Sequence, residues 1–215
     1  MPVPLIMNIR ERIISEQLDE QLIEPDPLVQ FQKWFDDAIA DGLKLPEAMT
    51  LATATSDGKP SARVVLLKQV DEQGFVFYTN YRSRKASELD ANVHAALVFY
   101  WPQHDRQVRV EGTVTRTSAE ESDLYFQTRP RDSQIGAWVS PQSEVIEGRD
   151  FLEERTRELE ETYREGLVER PEHWGGYRLK PQRIEFWKAR PSRLHDRLVY
   201  ELQNEGSWRV QRLAP

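Results

Sequence analysis

Residues 61–85 gather five basic side chains, Arg63, Lys68, Arg82, Arg84 and Lys85, against two acidic ones, Asp71 and Glu72. The chain as a whole has a formal charge of -7, so this window is a +3 island on an acidic protein. Such an island attracts an anionic ligand. It runs into a helix-like stretch, Ala86 to Asn92, and the N–H groups and dipole at a helix start favour phosphate. A solvated strand end accounts for the same composition about equally well. A second group, Tyr125, Arg129 and Ser133, sits at i, i+4 and i+8, although Pro130 interrupts the helix that would align them. A phenol, a guanidinium and a hydroxyl make good phosphate ligands. By itself this trio reads more readily as an exposed polar face. A third group is Arg193-Leu194-His195-Asp196-Arg197, preceded by Glu185-Phe186-Trp187. Strand alternation would put Arg193, His195 and Arg197 on one side. An exposed loop of paired charges is the plainer reading.

Other chemistries lack their residues. The chain has no cysteine, hence no thiolate and no disulfide. It has no Gly-x-Gly-x-x-Gly, no Walker loop and no Gly-x-Ser-x-Gly elbow. Its four histidines, His94, His104, His173 and His195, are scattered without metal-ligand spacing. No metal is expected.

The elements that must hold these groups follow from periodicity. Asp26-Pro27 opens a helix that Gly42 stops, with Leu28, Phe31, Phe35 and Ile39 on its packed face. The period then changes to two. Strands are expected at 49–56, 61–68, 74–79, 95–101 and 107–116, with Val108, Val110, Gly112 and Val114 facing one way. The turn Asp71-Glu72-Gln73-Gly74 predicts a hairpin between 61–68 and 74–79. Helices are expected at 83–92, 118–128 (Ser118 and Glu121 as a capping box), 130–138 and 149–166. Strands at 182–189, 197–203 and 207–213 close the chain. This is a mainly β, α+β pattern of antiparallel Greek-key type with peripheral helices. The boundaries expected are a mobile, charged N-terminal arm over 1–25 and one domain over 26–215. At 215 residues, with 39% hydrophobic and 30% charged residues, the chain reads as globular. No run is long enough to span a membrane and the N-terminus does not read as a signal peptide, so a cytoplasmic location is expected. The acidic balance argues against nucleic-acid binding.

The ordered segments Arg63-Val64-Val65-Leu66-Leu67-Lys68, Phe77-Tyr78-Thr79-Asn80, Ser83-Arg84-Lys85-Ala86, Arg129 to Trp138, Gln142-Ser143, Trp174-Gly175-Gly176, Ile184-Glu185-Phe186-Trp187, Arg193 to Arg197 and Arg212-Leu213-Ala214-Pro215 resemble the pyridoxamine 5′-phosphate oxidase family. The resemblance runs from about residue 26 to the end. It implies an FMN-binding split β-barrel working as a homodimer, with two FMN sites across the interface. It implies oxidation of pyridoxamine or pyridoxine 5′-phosphate to pyridoxal 5′-phosphate, with O₂ as acceptor and H₂O₂ as product. By the same resemblance, Arg63, Val64, Val65, Leu66, Leu67, Lys68, Tyr78, Thr79, Arg84, Lys85, Gln107, Gln142, Ser143, Trp187 and Arg197 bind FMN. Lys68, Tyr125, Arg129 and Ser133 hold the substrate phosphate, while Arg193, Leu194 and His195 lie at the reacting end. Arg193, His195 and Arg197 are the catalytic candidates, Arg197 as the cation beside the N1–C2 edge of reduced flavin. Family arms commonly offer an Arg and a Tyr to cover the substrate. Here Arg10 is present, but no tyrosine precedes Tyr78. A phenazine-type flavin oxidase and a non-catalytic FMN or pyridoxal-phosphate carrier are the alternative readings. Arg63 and Lys68 lie an odd number of residues apart, so a regular strand would point them to opposite faces. Either a bulge intervenes or they serve differently placed sites.

Overall fold

The computed structural model describes residues 17–215. Helix α1 (Pro27–Ala40) starts as its sequence dictates: the Asp26 side chain accepts a hydrogen bond from Leu28 N, and Pro27 occupies the first turn. Leu28, Phe31 and Phe35 of the expected face pack on the core, and the face widens to include Trp34. Phe31, Trp34 and Ala38 are buried, whereas Ile39 is 53% exposed. The stripe follows Pro27, Phe31, Trp34 and Ala38, and the tryptophan, absent from the expected set, decides it. Trp34 meets Phe186 edge-on at 5.2 Å, and Phe31 meets Phe75 and Phe99 at 4.9 and 4.8 Å. Burying each such ring stabilises the fold by about 1.5–3 kcal/mol.

Nine strands form one antiparallel sheet that curls around this core: β1 (Ala48–Ala54), β2 (Pro60–Leu66), β3 (Gln69–Asp71), β4 (Gly74–Asn80), β5 (His94–Trp101), β6 (Arg106–Arg116), β7 (Trp174–Lys188), β8 (Asp196–Leu202) and β9 (Trp208–Arg212). The order is β2-β1-β5-β6-β7-β4-β3, with β8 and β9 continuing from β7. Val108, Val110 and Val114 of β6 are buried as the alternation requires. The expected hairpin between 61–68 and 74–79 does not form. β2 pairs with β1 (Arg63 opposite Leu51), and only the short β3 pairs with β4. The chain switches partners at Leu67 and Lys68. Leu67 N donates to Glu47 O, and Lys68 N donates to Val76 O. The two edges of the sheet meet there, closing the barrel. β7 is longer than the expected 182–189 strand because its Gly-Gly start pairs with the end of β4 (Tyr78 opposite Gly176).

Among the described residues, four further α-helices surround the barrel: α2 (Arg84–Ala91), α3 (Ala119–Thr128), α4 (Arg131–Val139) and α5 (Arg149–Thr162). Ser118 caps α3 by accepting from Glu121 N. Phe126, Ile135, Val139 and Trp174 form a second apolar cluster beneath α3, α4 and α5.

The expectation of a mobile arm falls largely on residues outside those described. Its described end is docked: Leu18 is buried, Tyr200 Oη donates to Glu24 O at 2.6 Å, and Arg212 bonds Glu20 and Leu18 O. Among the described residues no helix is long and apolar enough to cross a membrane.

Gly74 has φ of 126°, and a Cβ there would lie 2.0 Å from Leu179 O on the paired strand. Both the conformation and the close approach demand glycine. Gly74→Ala should therefore lower unfolding stability by at least about 2 kcal/mol in urea titrations, with the slope unchanged.

Candidate functional site

A cavity of ≈ 490 Å³ opens beside β2, β4 and the α3–α4 junction. Its walls include Arg63, Val64, Val65, Leu66, Lys68, Tyr78, Thr79, Lys85, Tyr125, Arg129, Ser133 and Gln142. Residues from two of the three sequence groups thus meet in one place. Arg63 and Lys68 reach the same cavity without a bulge, because the strand ends at Leu66 and Lys68 belongs to the connection. Tyr125, Arg129 and Ser133 converge although the helix breaks: α3 ends at Thr128, Arg129 caps it, and α4 resumes after Pro130.

One wall is a hydrogen-bonded set. Lys85 Nζ donates to Gln142 Oε1 at 2.8 Å and to Thr79 Oγ1 at 3.1 Å, and burial pulls the ammonium below its usual range, helped by the neighbouring Arg63 charge. Arg63 is held by Leu51 O, Thr53, Ser61 and Glu88. The other wall is an aromatic stack. Tyr78 lies 4.0 Å from Tyr125 and 5.3 Å from Trp174, with Arg129 4.5 Å over the Trp174 ring. Gly176 permits this: a Cβ there would lie 2.8 Å from Tyr78 Cε1. Burial pushes the Tyr78 phenol up to about 12 and lowers Arg129 from its ordinary value. Tyr78 is therefore a neutral donor at physiological pH, and Arg129 is a cation short of counter-charge. Among the described residues, Arg129 Nη1 is buried without a hydrogen-bond partner. A buried guanidinium N–H left unpaired is costly unless a ligand accepts from it.

The remaining candidates lie elsewhere. Leu67 is buried in the core, and Arg84, 66% exposed at its side chain, turns to Glu88. Ser143 follows Gln142 with φ of 77°. Gln107, Trp187 and Arg197 are direct register neighbours across β6, β7 and β8. Arg197 is clasped by the buried Glu185 at 2.8 and 3.2 Å. The Trp187 and His195 rings are 4.7 Å apart, and His195 Nδ1 accepts from Arg190 N. The expected alternation of Arg193, His195 and Arg197 fails, since β8 begins only at Asp196. Arg193 sits in a 3₁₀ turn with φ of 61°, and Leu194 is exposed. None of this second cluster lines the cavity. Arg10 lies outside the described residues. Trp174, Asn80, Gly136, Ala137 and Ser140 line the cavity without having been singled out as site residues. The signal for Trp174 was its place in a Trp-Gly-Gly run, where two glycines suggest close backbone approach. Among the described residues no cluster of metal-ligating side chains exists.

The family model described as pyridoxamine 5′-phosphate oxidase matches residues 35–163, more than half of the chain. The chain belongs to the pyridoxamine 5′-phosphate oxidase family. Residues 174–215 match the model of the pyridoxine 5′-phosphate oxidase C-terminal dimerisation region. A pyridoxine/pyridoxamine 5′-phosphate oxidase from Rubrobacter xylanophilus is 56% identical over 98% of this chain and 96% of its own. One from a Nostoc species is 53% identical over 98% of each. Among solved structures, PhzG from Burkholderia lata in complex with tetrahydrophenazine-1-carboxylic acid is 31% identical. It covers 94% of this chain and 98% of its own, with a TM-score of 0.87. The split-barrel expectation for the family thus agrees with the observed sheet.

Glu88 on α2 is 5% exposed at its side chain and faces the Arg63 wall. Burial pushes its carboxyl up, but hydrogen bonds from Ser61, Thr53, Arg84 and Arg63 outweigh this and hold it at about 2, against an ordinary 4.5. A lowered folded-state value contributes stability above pH 4.5 that is lost as pH falls towards about 2. The melting temperature of the apoprotein, followed between those limits, should drop through this window and drop less steeply in Glu88→Gln.

Proposed function

We propose that this chain is an FMN-dependent oxidase that converts pyridoxamine 5′-phosphate and pyridoxine 5′-phosphate to pyridoxal 5′-phosphate. The observation that carries the reading is the cavity's two sets of cationic groups: Arg63 and Lys85 with Thr79 and Gln142, and Lys68 and Arg129 with Tyr125 and Ser133. Two phosphorylated molecules side by side require two such sets. The first set suits the FMN phosphate and the second the substrate phosphate, where the unpaired Arg129 Nη1 gains an acceptor. When bound, FMN would supply the redox chemistry, serving as the two-electron acceptor for the substrate C4′ hydride, with O₂ accepting those two electrons together with two protons to leave as H₂O₂. The protein's part is placement: fixing the phosphate at one end leaves the reacting carbon of the ring held at the other. The stacked Tyr78, Tyr125 and Trp174 rings give the phosphate end of the cavity a rigid, half-buried wall.

The second cluster supports a homodimer with two composite sites. Gln107, Trp187 and Arg197 share one row of the sheet, and Trp187 stands thirteen residues along β7 from Trp174 of the cavity wall, roughly 40 Å of strand path. In this reading each cavity is completed by the partner's copy of the row. Arg193 and His195 then face the reacting end, and Arg197, kept charged by Glu185, lies near the N1–C2 edge of the flavin. The reactants are small metabolites, and we place the enzyme in the cytoplasm. Residues 26–215 act as one domain in this proposal.

A related oxidase acting on a phenazine precursor is the second reading, favoured by the match to PhzG. The purified protein should be yellow. It should bleach when pyridoxamine 5′-phosphate is added without O₂ and recover with air, releasing pyridoxal 5′-phosphate. A yellow protein that does not bleach retains the flavin site but excludes this substrate. A protein colourless even after incubation with FMN excludes the cofactor. Arg129→Leu should raise the KM for pyridoxamine 5′-phosphate by roughly a hundredfold, the scale of a charge-assisted bidentate contact, while FMN affinity stays within a few-fold.

A further inference from the structure

The buried carboxylate of Glu88 lies outside the residues given a role so far. It sits on the first turns of α2, one turn beyond Arg84. Three donors converge on its Oε2: Thr53 Oγ1 at 2.5 Å, Ser61 Oγ at 2.5 Å and Arg63 Nη2 at 3.1 Å. Arg84 Nε donates to Oε1 at 2.8 Å. The two hydroxyl oxygens also lie 3.2 Å from each other, and their shorter contacts are the ones to Glu88. Each hydroxyl has one proton and gives it to Glu88, so its oxygen is free to accept from Arg63, Thr53 from Nη1 and Ser61 from Nη2. The guanidinium is gripped by acceptors from β1, β2 and α2 at once, and it forms part of the cavity wall. An acceptor set of this kind requires an ionised carboxylate.

We infer that Glu88 is a positioning residue for FMN, holding Arg63 at the cavity wall so that its charge is presented to the flavin phosphate. The inference rests on the FMN reading above. Its electrostatic sign makes it separable from a simple charge effect. Arg63 and Lys85 of the wall with Glu88 behind them carry two positive charges and one negative. A phosphate monoester carries about −1.5 to −2 at neutral pH. Removing the anion raises the net positive charge of the cradle, which by Coulomb attraction alone tightens phosphate binding. Releasing Arg63 from its anchor loosens it, because the guanidinium must then be ordered when FMN binds. A structural staple between α2 and the sheet would weaken all flavins alike.

The full-length apoprotein, wild type, Glu88→Gln and Glu88→Ala, should be titrated with FMN and with riboflavin, following flavin fluorescence. Riboflavin lacks the phosphate and reports the rest of the site. The ratio of FMN to riboflavin affinity is expected to fall roughly tenfold in Glu88→Gln, the scale of one lost charge-assisted hydrogen bond, and further in Glu88→Ala. A ratio that rises, or that stays constant because both flavins hold or weaken together, overturns the positioning role. Glu88→Gln is nearly isosteric and decides the matter alone if Glu88→Ala does not fold. Wild-type protein that takes up no FMN overturns the cofactor reading as well. Wild-type uptake with an unaltered ratio in the variants overturns only the role of Glu88.

Discussion

Every part of the site hangs on the hydrogen-bond ladder of β7. This strand pairs with β4 over 174–179, with β6 over 177–188 and with β8 over 183–188. A strand held on both edges at 177–179 and again at 183–188 has little freedom to bend in those stretches. Its beginning places Trp174 beneath Arg129 and against Tyr78. Its end places Trp187 between Gln107 and Arg197. The spacing between the two functional groups is therefore a property of backbone geometry rather than of loops. A register slip of one residue would turn both tryptophans to the opposite face together.

The cavity's charge is handled unevenly, and the unevenness is informative. Arg63 has a full set of protein acceptors, including one buried carboxylate. Arg197 likewise has Glu185. Arg129 rests on an indole face instead, with one N–H unsatisfied. Fully matched cations serve as fixed parts of a wall. An incompletely matched cation stores binding energy that an incoming anion releases. Neutral donors, the Tyr78 and Tyr125 phenols, surround the latter without competing for its charge.

Much of this was legible in the sequence. Caps at Asp26 and Ser118, the alternation of β6 and the basic island at 61–85 all act locally, and local signals survive without knowledge of the fold. What failed was pairing. The turn at 71–74 is real, but it joins the three-residue β3 to β4, because β2 finds a longer partner in β1. On α1 the expected Leu28, Phe31 and Phe35 do pack, but Ile39 does not and Trp34 was missed, because the core around Phe186 recruits it through a contact about 150 residues away in sequence that no helical period reveals. Likewise Glu88 looks like an ordinary helix-surface glutamate until β1 and β2 bring Thr53, Ser61 and Arg63 over it. The convergence of Lys68, Arg129 and Lys85 was inferred from residue types and family resemblance, and their common cavity depended on long-range closure at Lys68.

The sheet order also fixes when the site can exist. Tyr78 must find Gly176, roughly a hundred residues later in the chain, before the aromatic wall is complete. During synthesis the basic island, its helix and the β1–β2 pair all emerge before the strand that closes the barrel over them. The residues of one cavity wall are therefore made well before Trp174 of the other. Cofactor capture by the finished pocket stabilises only the finished fold and draws the last-paired strand into place. The order of strands thus makes flavin loading a late checkpoint in the maturation of the protein.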